Sequence, residues 1–229
     1  MIAIIPARSG SKRIKNKNIK KFNKKPIIYW SIKAAINSKL FDTVIVSTDS
    51  KKIKKIAEKY GAKVPFIRPK NLSGDFIPTR DVIKHALNYL KKNFKKTNDF
   101  CCIYPTAPLL EKNTLIKSYK IFNKFKKKKY IFSAVKFSYP VQRGFYITKK
   151  NKIKPMFKKN FKKRSQDLKN IYHDAGQFYM GTAGMIKKKI NIFSNEAYPV
   201  VLDESLVQDI DTITDWKIAE IKFKKKSYN

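Results

Sequence analysis

The residues able to do chemistry in this 229-residue chain gather near its two ends. At the start, the apolar run Met1–Ile5 gives way to Pro6-Ala7-Arg8-Ser9-Gly10-Ser11-Lys12-Arg13, followed by Lys17-Asn18. A buried-type strand entering such a loop puts it at the carboxyl edge of a sheet, where α/β folds bind ligands. Gly10 can take a positive φ, so backbone N–H groups there could turn toward an anion. Arg8, Lys12, Arg13 and Lys17 supply the countercharge, and the stretch reads as a polyphosphate cradle. The plainer alternative is a charged loop in a lysine-rich chain. G-x-x-x-x-G-K-[ST] is absent, and no G-x-G-x-x-G occurs. Toward the end, Asp209-Ile210-Asp211 is the strongest acidic feature among 16 carboxylates. On an extended backbone these two side chains share a face, about 5–7 Å apart, and repel unless a cation lies between them. Hard oxygen ligands suit Mg²⁺, which binds through one or two carboxylates with substrate phosphate and water. The competing reading has Asp211 capping the last helix together with Thr212.

Two further stretches carry polar chemistry. Tyr104-Pro105-Thr106-Ala107-Pro108 closes a predicted strand. Its prolines hold the backbone extended, so that carbonyls and the Thr106 hydroxyl could read a base edge, or simply form a rigid turn. Arg164-Ser165-Gln166-Asp167-Leu168 and Tyr172-His173-Asp174-Ala175-Gly176-Gln177-Phe178-Tyr179 concentrate guanidinium, amide, carboxylate and aromatic groups. The alternative for the second of these is a buried aromatic strand with a turn at Gly176. His85 falls in a helical pattern, as a surface or packing residue, and two isolated histidines with two adjacent cysteines give no zinc-ligand spacing. No G-x-S-x-G or Cys/His arrangement supports a hydrolytic nucleophile.

Strands alternating with helical periodicity must position these groups. Helical patterns cover Ile27 to Leu40, Ser50 to Tyr60, Thr79 to Phe94 (with Thr79 as a cap), Asn113 to Phe125, Ala183 to Lys189 and Thr212 to Lys224. Strand patterns cover Phe41 to Thr48, Lys63 to Ile67, Asp99 to Tyr104, Tyr130 to Phe137, Gln177 to Met180 and Ala197 to Leu202. The rhythm implies a single α/β domain over 1–229, Rossmann-like, with a mainly parallel sheet flanked by helices. It fails between about Ser138 and Tyr172, where a hairpin-like Phe145–Phe157 marks an insertion into the same domain.

Ile4-Ile5-Pro6-Ala7-Arg8-Ser9-Gly10-Ser11-Lys12-Arg13 followed by Lys17-Asn18-Ile19 resembles the opening motif of the CMP-sugar-acid synthetases, cytidylyltransferases that activate sialic-acid-like sugars. The resemblance runs from Ile4 to Asp215. It implies CTP contacts from Ala7, Arg8, Ser9, Gly10, Lys17, Asn18, Tyr104 and Thr106, with Arg8, Lys12 and Lys17 serving catalysis on the phosphates. Arg68-Pro69 with Leu72 matches a family R-P-x-x-L segment near the triphosphate or base, and Thr79 stands where a small hydroxyl residue approaches the nucleotide. The segment Gln208 to Thr212 corresponds to the family's metal-binding D-x-D, which implies Mg²⁺ at Asp209 and Asp211, and Asp215 reads as a first-turn helix charge. Arg164, Gln166, Tyr172, Asp174, Gln177, Phe178 and Tyr179 fall in the sugar-contacting segments: a cation for the carboxylate, amides and hydroxyls for N-acetyl and OH groups, aromatic area for methyls. The protruding insertion is implied to make a homodimer contact and help cover the sugar. H-D-A-G-Q-F-Y resembles the pseudaminic acid branch, whereas Tyr104 and Leu110 replace the Gln and Arg usual in the sialic acid branch. Lys15-Asn16 stands where many relatives carry proline. The expected substrates are therefore CTP and a nine-carbon sugar acid, with N-acetylneuraminate as the alternative to pseudaminic acid.

Composition sets the remaining bounds. A hydrophobic content of 42% excludes wholesale disorder, and no apolar stretch approaches membrane-spanning length. Adjacent Cys101 and Cys102 on a strand face opposite ways, which argues against a disulfide and for a reducing, cytoplasmic setting. The formal charge of +37 raises the alternative of a basic nucleic-acid-binding protein. The lysines are dispersed on solvated faces rather than gathered in one arm, which counts against it. Their summed field should instead attract CTP-like anions in a salt-sensitive way.

Overall fold

The computed structural model describes residues 1–93 and 98–226. In chain order its elements are β1 (Ile2–Pro6), β2 (Lys21–Phe22), β3 (Lys25–Pro26), α1 (Ile27–Ser38), β4 (Thr43–Ser47), α2 (Lys51–Lys59), α3 (Thr79–Asn93), β5 (Asp99–Ile103), α4 (Lys112–Lys124), β6 (Tyr130–Lys136), β7 (Phe145–Ile147), β8 (Ile153–Pro155), β9 (Tyr172–Thr182), α5 (Ala183–Lys187), β10 (Ala197–Leu202) and α6 (Ile213–Lys226). Six strands form the central sheet, in the order β10-β6-β9-β5-β1-β4. β1 runs parallel to β4 and β5, and β10 parallel to β6, while β9 runs antiparallel to both its neighbours.

The sheet is buried on both faces, which is why β1 reads as an unbroken apolar run. Ala3 and Ile5 pack into one core with Ile28 and Ile32 of α1 and Leu115 and Phe122 of α4. Ile2 and Ile4 pack into the other with Ile83, Leu87 and Leu90 of α3. Cys101 joins the first core and Cys102 the second; both are fully buried free thiols, as strand alternation requires. β1 has β4 on one side and β5 on the other, so the loop leaving its carboxyl end enters the crevice where the sheet changes winding direction.

Two expectations need correction. Lys63 to Ile67 is no strand: Pro65 lacks an N–H, and only isolated bridges from Lys63 to Ile45 and from Ile67 to Thr48 form. The strand expected over Gln177 to Met180 is eleven residues long and reversed in direction. Its register with β6 shifts between Phe132 and Ala134, and the buried Ser133 hydroxyl there accepts from the Gln177 and Phe178 N–H groups at 3.1 and 3.3 Å. Phe94, the expected end of α3, lies outside the described residues. The insertion holds the β7–β8 hairpin, with Phe145 opposite Pro155 and Ile147 opposite Ile153. Tyr146, Ile147 and Ile153 are each more than half exposed.

Candidate active site

The loop after β1 bounds a cavity of about 340 Å³ at the carboxyl edge of the sheet. The left-handed residue of this loop is Asn16, at φ 55°; Gly10 does not adopt a positive φ. Asn tolerates that region better than most residues, so the turn needs no glycine. Ala7 is buried and extends the β1–β4 ladder through Ser47 O at 2.9 Å. Ser9 gives its N–H and hydroxyl to Asp49 at 2.8 and 2.7 Å. Ala7, Ser9 and Gly10 therefore shape the loop and are not among the residues lining the cavity. Asn18 is also buried, and its amide donates to Arg8 O at 2.8 Å, bracing the turn from within.

Arg8, Lys12, Arg13 and Lys17 all line the cavity, and each holds a carboxylate. Arg8 and Lys12 both pair with Asp75, Lys12 at 2.6 Å. These two partners, Lys12 first, hold the Asp75 carboxyl below the usual carboxylate range. Arg13 pairs with Asp211 at 2.8 Å, and Lys17 reaches Ile210 O at 2.6 Å and Asp211 at 3.4 Å.

Arg68 lines the same cavity, near enough to Arg8 for their charges to oppose each other. Far from being a solvated surface cation, it is only 4% exposed, and its Nε and Nη2 have no hydrogen-bond partner. Burial, opposed by nearby Asp49 and assisted by Arg8, pulls its guanidinium below the ordinary arginine range. Behind it His85 stacks edge-on with Phe66 at 4.8 Å, a packing residue. Thr79 opens α3, and its hydroxyl meets the Tyr104 hydroxyl at 3.3 Å rather than capping the helix. Tyr104 O accepts from Ser31 Oγ at 2.7 Å, and both Tyr104 and Thr106 stand in the cavity wall.

The acidic pair completes the cavity from the far end of the chain. Asp211 does not cap α6: Asp215 accepts from Thr212 N at 2.7 Å, Thr212 Oγ1 at 2.8 Å and Asp211 N at 3.1 Å, while Thr212 Oγ1 receives Asp215 N at 3.2 Å. This reciprocal cap fixes the backbone beneath Asp211 and leaves its side chain directed to the cations. Residue 209 as a whole is exposed, yet crowding around its carboxylate, then the charge of Asp211, raises the Asp209 carboxyl above its ordinary range. Two tethers hold the preceding strap. Gln177 Nε2 donates to Leu206 O at 2.6 Å, and Lys222 Nζ to Glu204 O and Val207 O at 2.9 and 2.7 Å. Two hard, mutually repelling carboxylates at the cavity rim suit a divalent cation that takes its remaining ligands from phosphate and water. Among the described residues, no cluster of three or more His, Cys, Asp or Glu side chains offers a fuller protein cage.

The residues expected at the sugar divide. Tyr179 and Tyr104 meet edge-to-face at 5.6 Å and line a second cavity of about 360 Å³, which shares Thr79 and Tyr104 with the first. Arg80, Tyr130, Lys189 and Ile190 complete much of its wall. Tyr179 donates to Asp174, whose other oxygen accepts Gly176 N at 2.8 Å, and burial is the main cause raising both the Tyr104 and Tyr179 hydroxyls. Gln177 is a buried tether. Phe178 is fully buried in the core and offers no surface to a ligand, which corrects its expected sugar contact. Arg164 and Gln166 lie on the insertion, with Arg164 paired to Asp167 at 2.9 Å, and Tyr172 is exposed at the start of β9. None of these three lines either cavity. Sequence reasoning missed Asp75 in the first cavity and Arg80, Tyr130, Lys189 and Ile190 in the second. The signal for Asp75 was a rare carboxylate seven residues after Arg68 in a chain holding 53 lysines and arginines.

Comparison with known proteins identifies the family and the fold. A family model described as cytidylyltransferase matches residues 2–225. The pseudaminic acid cytidylyltransferase of Campylobacter jejuni is 44% identical over 97% of this chain and 96% of its own. The N-acylneuraminate cytidylyltransferase of Escherichia coli is 29% identical over 99% of this chain and 53% of its own. A solved CMP:2-keto-3-deoxy-manno-octonic acid synthetase complexed with CTP superposes with a TM-score of 0.70 at 12% identity, covering 98% of each chain, and so shares the fold. Among the described residues, no helix is long and apolar enough to cross a membrane. On the strength of a match spanning almost its whole length, the chain belongs to the cytidylyltransferase family.

Proposed function

We propose that this enzyme couples CTP to pseudaminic acid, giving CMP-pseudaminic acid and pyrophosphate. The observation that carries the nucleotide half is Arg68: a buried guanidinium, with Nε and Nη2 unpartnered, on a residue that lines the same cavity as Arg8, Lys12, Arg13 and Lys17. An arginine left in that state is stabilised by an anion that enters the cavity and accepts its hydrogen bonds. Arg8, Lys12, Lys17 and Arg68 would bind the triphosphate, with Thr106 beside the base or ribose. The sugar acid would occupy the neighbouring cavity, with Arg80 and Lys189 for its carboxylate and Tyr130, Tyr179 and Ile190 for its apolar groups. The shared wall of Thr79 and Tyr104 would bring acceptor and α-phosphate together. An apolar, tyrosine-rich wall suits a deoxy, acylated sugar better than a fully hydroxylated one.

In the reaction the sugar's anomeric oxygen forms a bond to the α-phosphorus, and the bond from that phosphorus to the oxygen bridging the β-phosphate breaks. Pyrophosphate leaves and the hydroxyl proton passes to solvent. The chain contributes mainly by aligning the two reactants and by holding fixed cations against the phosphate oxygens. Asp209 and Asp211 would hold Mg²⁺, which when bound supplies further charge neutralisation on the phosphates. For Asp211 this means exchanging Arg13 and Lys17 for the metal, which releases both cations toward the nucleotide. The exposed β7–β8 hairpin, with Tyr146, Ile147 and Ile153 uncovered, would be buried against a second copy in a homodimer, bringing Arg164, Gln166 and Tyr172 near a sugar. The buried free thiols suit a cytoplasmic enzyme. Pyrophosphate release measured with CTP and a panel of sugar acids tests the reading. Release with pseudaminic acid is expected, and none with any sugar acid would overturn it. Preference for N-acetylneuraminate would overturn the pseudaminic assignment alone.

A further inference from the structure

Asp75 has no part in the proposed reaction, yet it occupies the centre of the cationic wall. One carboxylate oxygen sits on Arg8 Nη1 and the other on Lys12 Nζ at 2.6 Å. A phosphate group drawn to the same two cations would compete for these donors. Arg8 and Lys12 keep further N–H groups, but an anion closing on both meets the Asp75 carboxylate lying against them, and the like charges repel.

The segment that carries Asp75 is otherwise held only locally. Among the described residues, its hydrogen bonds run from Leu72 N to Pro69 O and from Ser73 N to Lys70 O, both at 3.0 Å, from Ser73 Oγ to Pro69 O at 2.9 Å and from Ile77 N to Gly74 O at 3.5 Å. Phe76, next to Asp75, is 96% exposed, so no packing fixes the segment at that point. Its long-range polar anchors are the pairs to Arg8 and Lys12.

We infer that Asp75 is a built-in competitor of the triphosphate that sets nucleotide affinity. It keeps Arg8 and Lys12 oriented while the cavity is empty, is displaced with its segment when CTP binds, and returns as pyrophosphate departs. The inference rests on the cytidylyltransferase reading of the same cavity. The test is calorimetric titration of the wild-type chain and Asp75→Asn with CTP and with pyrophosphate, in EDTA so that no metal contributes. The variant should bind both about five-fold more tightly, the scale of two part-exposed ion pairs. Phe76→Trp then reports on the segment: its emission should change when pyrophosphate is added, and the change should vanish in the Asp75→Asn background. Through-space charge alone would tighten binding without the emission change. Equal or weaker binding by a folded Asp75→Asn, or an emission response that is absent or unaffected by the substitution, would overturn the inference. If the wild-type chain binds neither CTP nor pyrophosphate, the nucleotide reading itself falls, and the inference with it.

Discussion

Replacing Arg68 by methionine should make the enzyme more stable and less able to bind CTP. Arg68 is 4% exposed, and its Nε and Nη2 lack partners. Each unmade hydrogen bond of a buried group costs about 1–3 kcal/mol, more when the group is charged. Attraction to Asp49 returns part of that cost, as the direction of the opposing influences on Arg68 indicates. Methionine fills similar volume with no polar atom, and its flexible chain adapts to an irregular space. A net gain of about 1–3 kcal/mol follows, and for a chain of this size each kcal/mol moves the midpoint by about 2–4 °C. The loss on the ligand side is larger. Charge-assisted hydrogen bonds contribute about 1.5–3 kcal/mol each, so CTP affinity should fall about 10- to 100-fold. Urea unfolding measures the first effect and calorimetric titration with CTP the second. Thermal unfolding with excess CTP joins them: the nucleotide should raise the wild-type midpoint far more than the variant's. An Arg68→Met protein that is less stable and binds CTP as tightly as wild type would refute the idea that this guanidinium is held waiting for an anion.

Two other outcomes are expected. Asp211→Asn should fold normally, because Asp215 rather than the Asp211 side chain caps α6, but pyrophosphate release in Mg²⁺ should drop about 10²-fold or more, roughly 3 kcal/mol of barrier. Near-normal turnover would remove the metal role. Tyr146→Glu combined with Ile147→Lys, on the exposed hairpin, should yield a monomer by light scattering with the core's unfolding midpoint little changed; an unaltered dimer would exclude the hairpin from the interface.

The features legible in the sequence were those written locally. Apolar runs at β1, β4 and β5, the cation-rich turn after β1 and the Asp209–Asp211 spacing each depend on a handful of neighbouring residues. The antiparallel course of β9 depends instead on what lies between strands. A parallel return from β6 would require a covering crossover. The intervening residues 138–171 form short turns and a hairpin but no α-helix, so the chain reverses and β9 slots between β5 and β6. The burial of Arg68 was hidden for a similar reason. Nothing in R-P-x-x-L tells that α3 and the β1 loop will enclose it, and only their assembly strips its water. Asn16 rather than Gly10 takes the left-handed turn because asparagine can bear that conformation, so the glycine signal pointed at the wrong residue.

The charge arrangement explains how so basic a chain can be selective. A formal charge of +37 attracts every anion, but beyond about 8 Å that attraction is screened at physiological salt. Selection has to come from the cavity wall. There five cations, Arg8, Lys12, Arg13, Lys17 and Arg68, face three carboxylates, Asp75, Asp209 and Asp211. With all three ionised, an excess of two positive charges remains, and a magnesium-chelated triphosphate, itself still anionic, is the kind of ligand that completes it. All but Arg68 among these cations already hold a carboxylate, so a weakly bound anion gains little by entering. On the proposed reading, a triphosphate carrying its metal would do what a simple anion cannot: Asp211 would exchange Arg13 and Lys17 for the metal, and Arg8 and Lys12 would exchange Asp75 for phosphate. Binding by exchange of partners, rather than by filling an open positive hole, would make the resting site selective without lowering its charge.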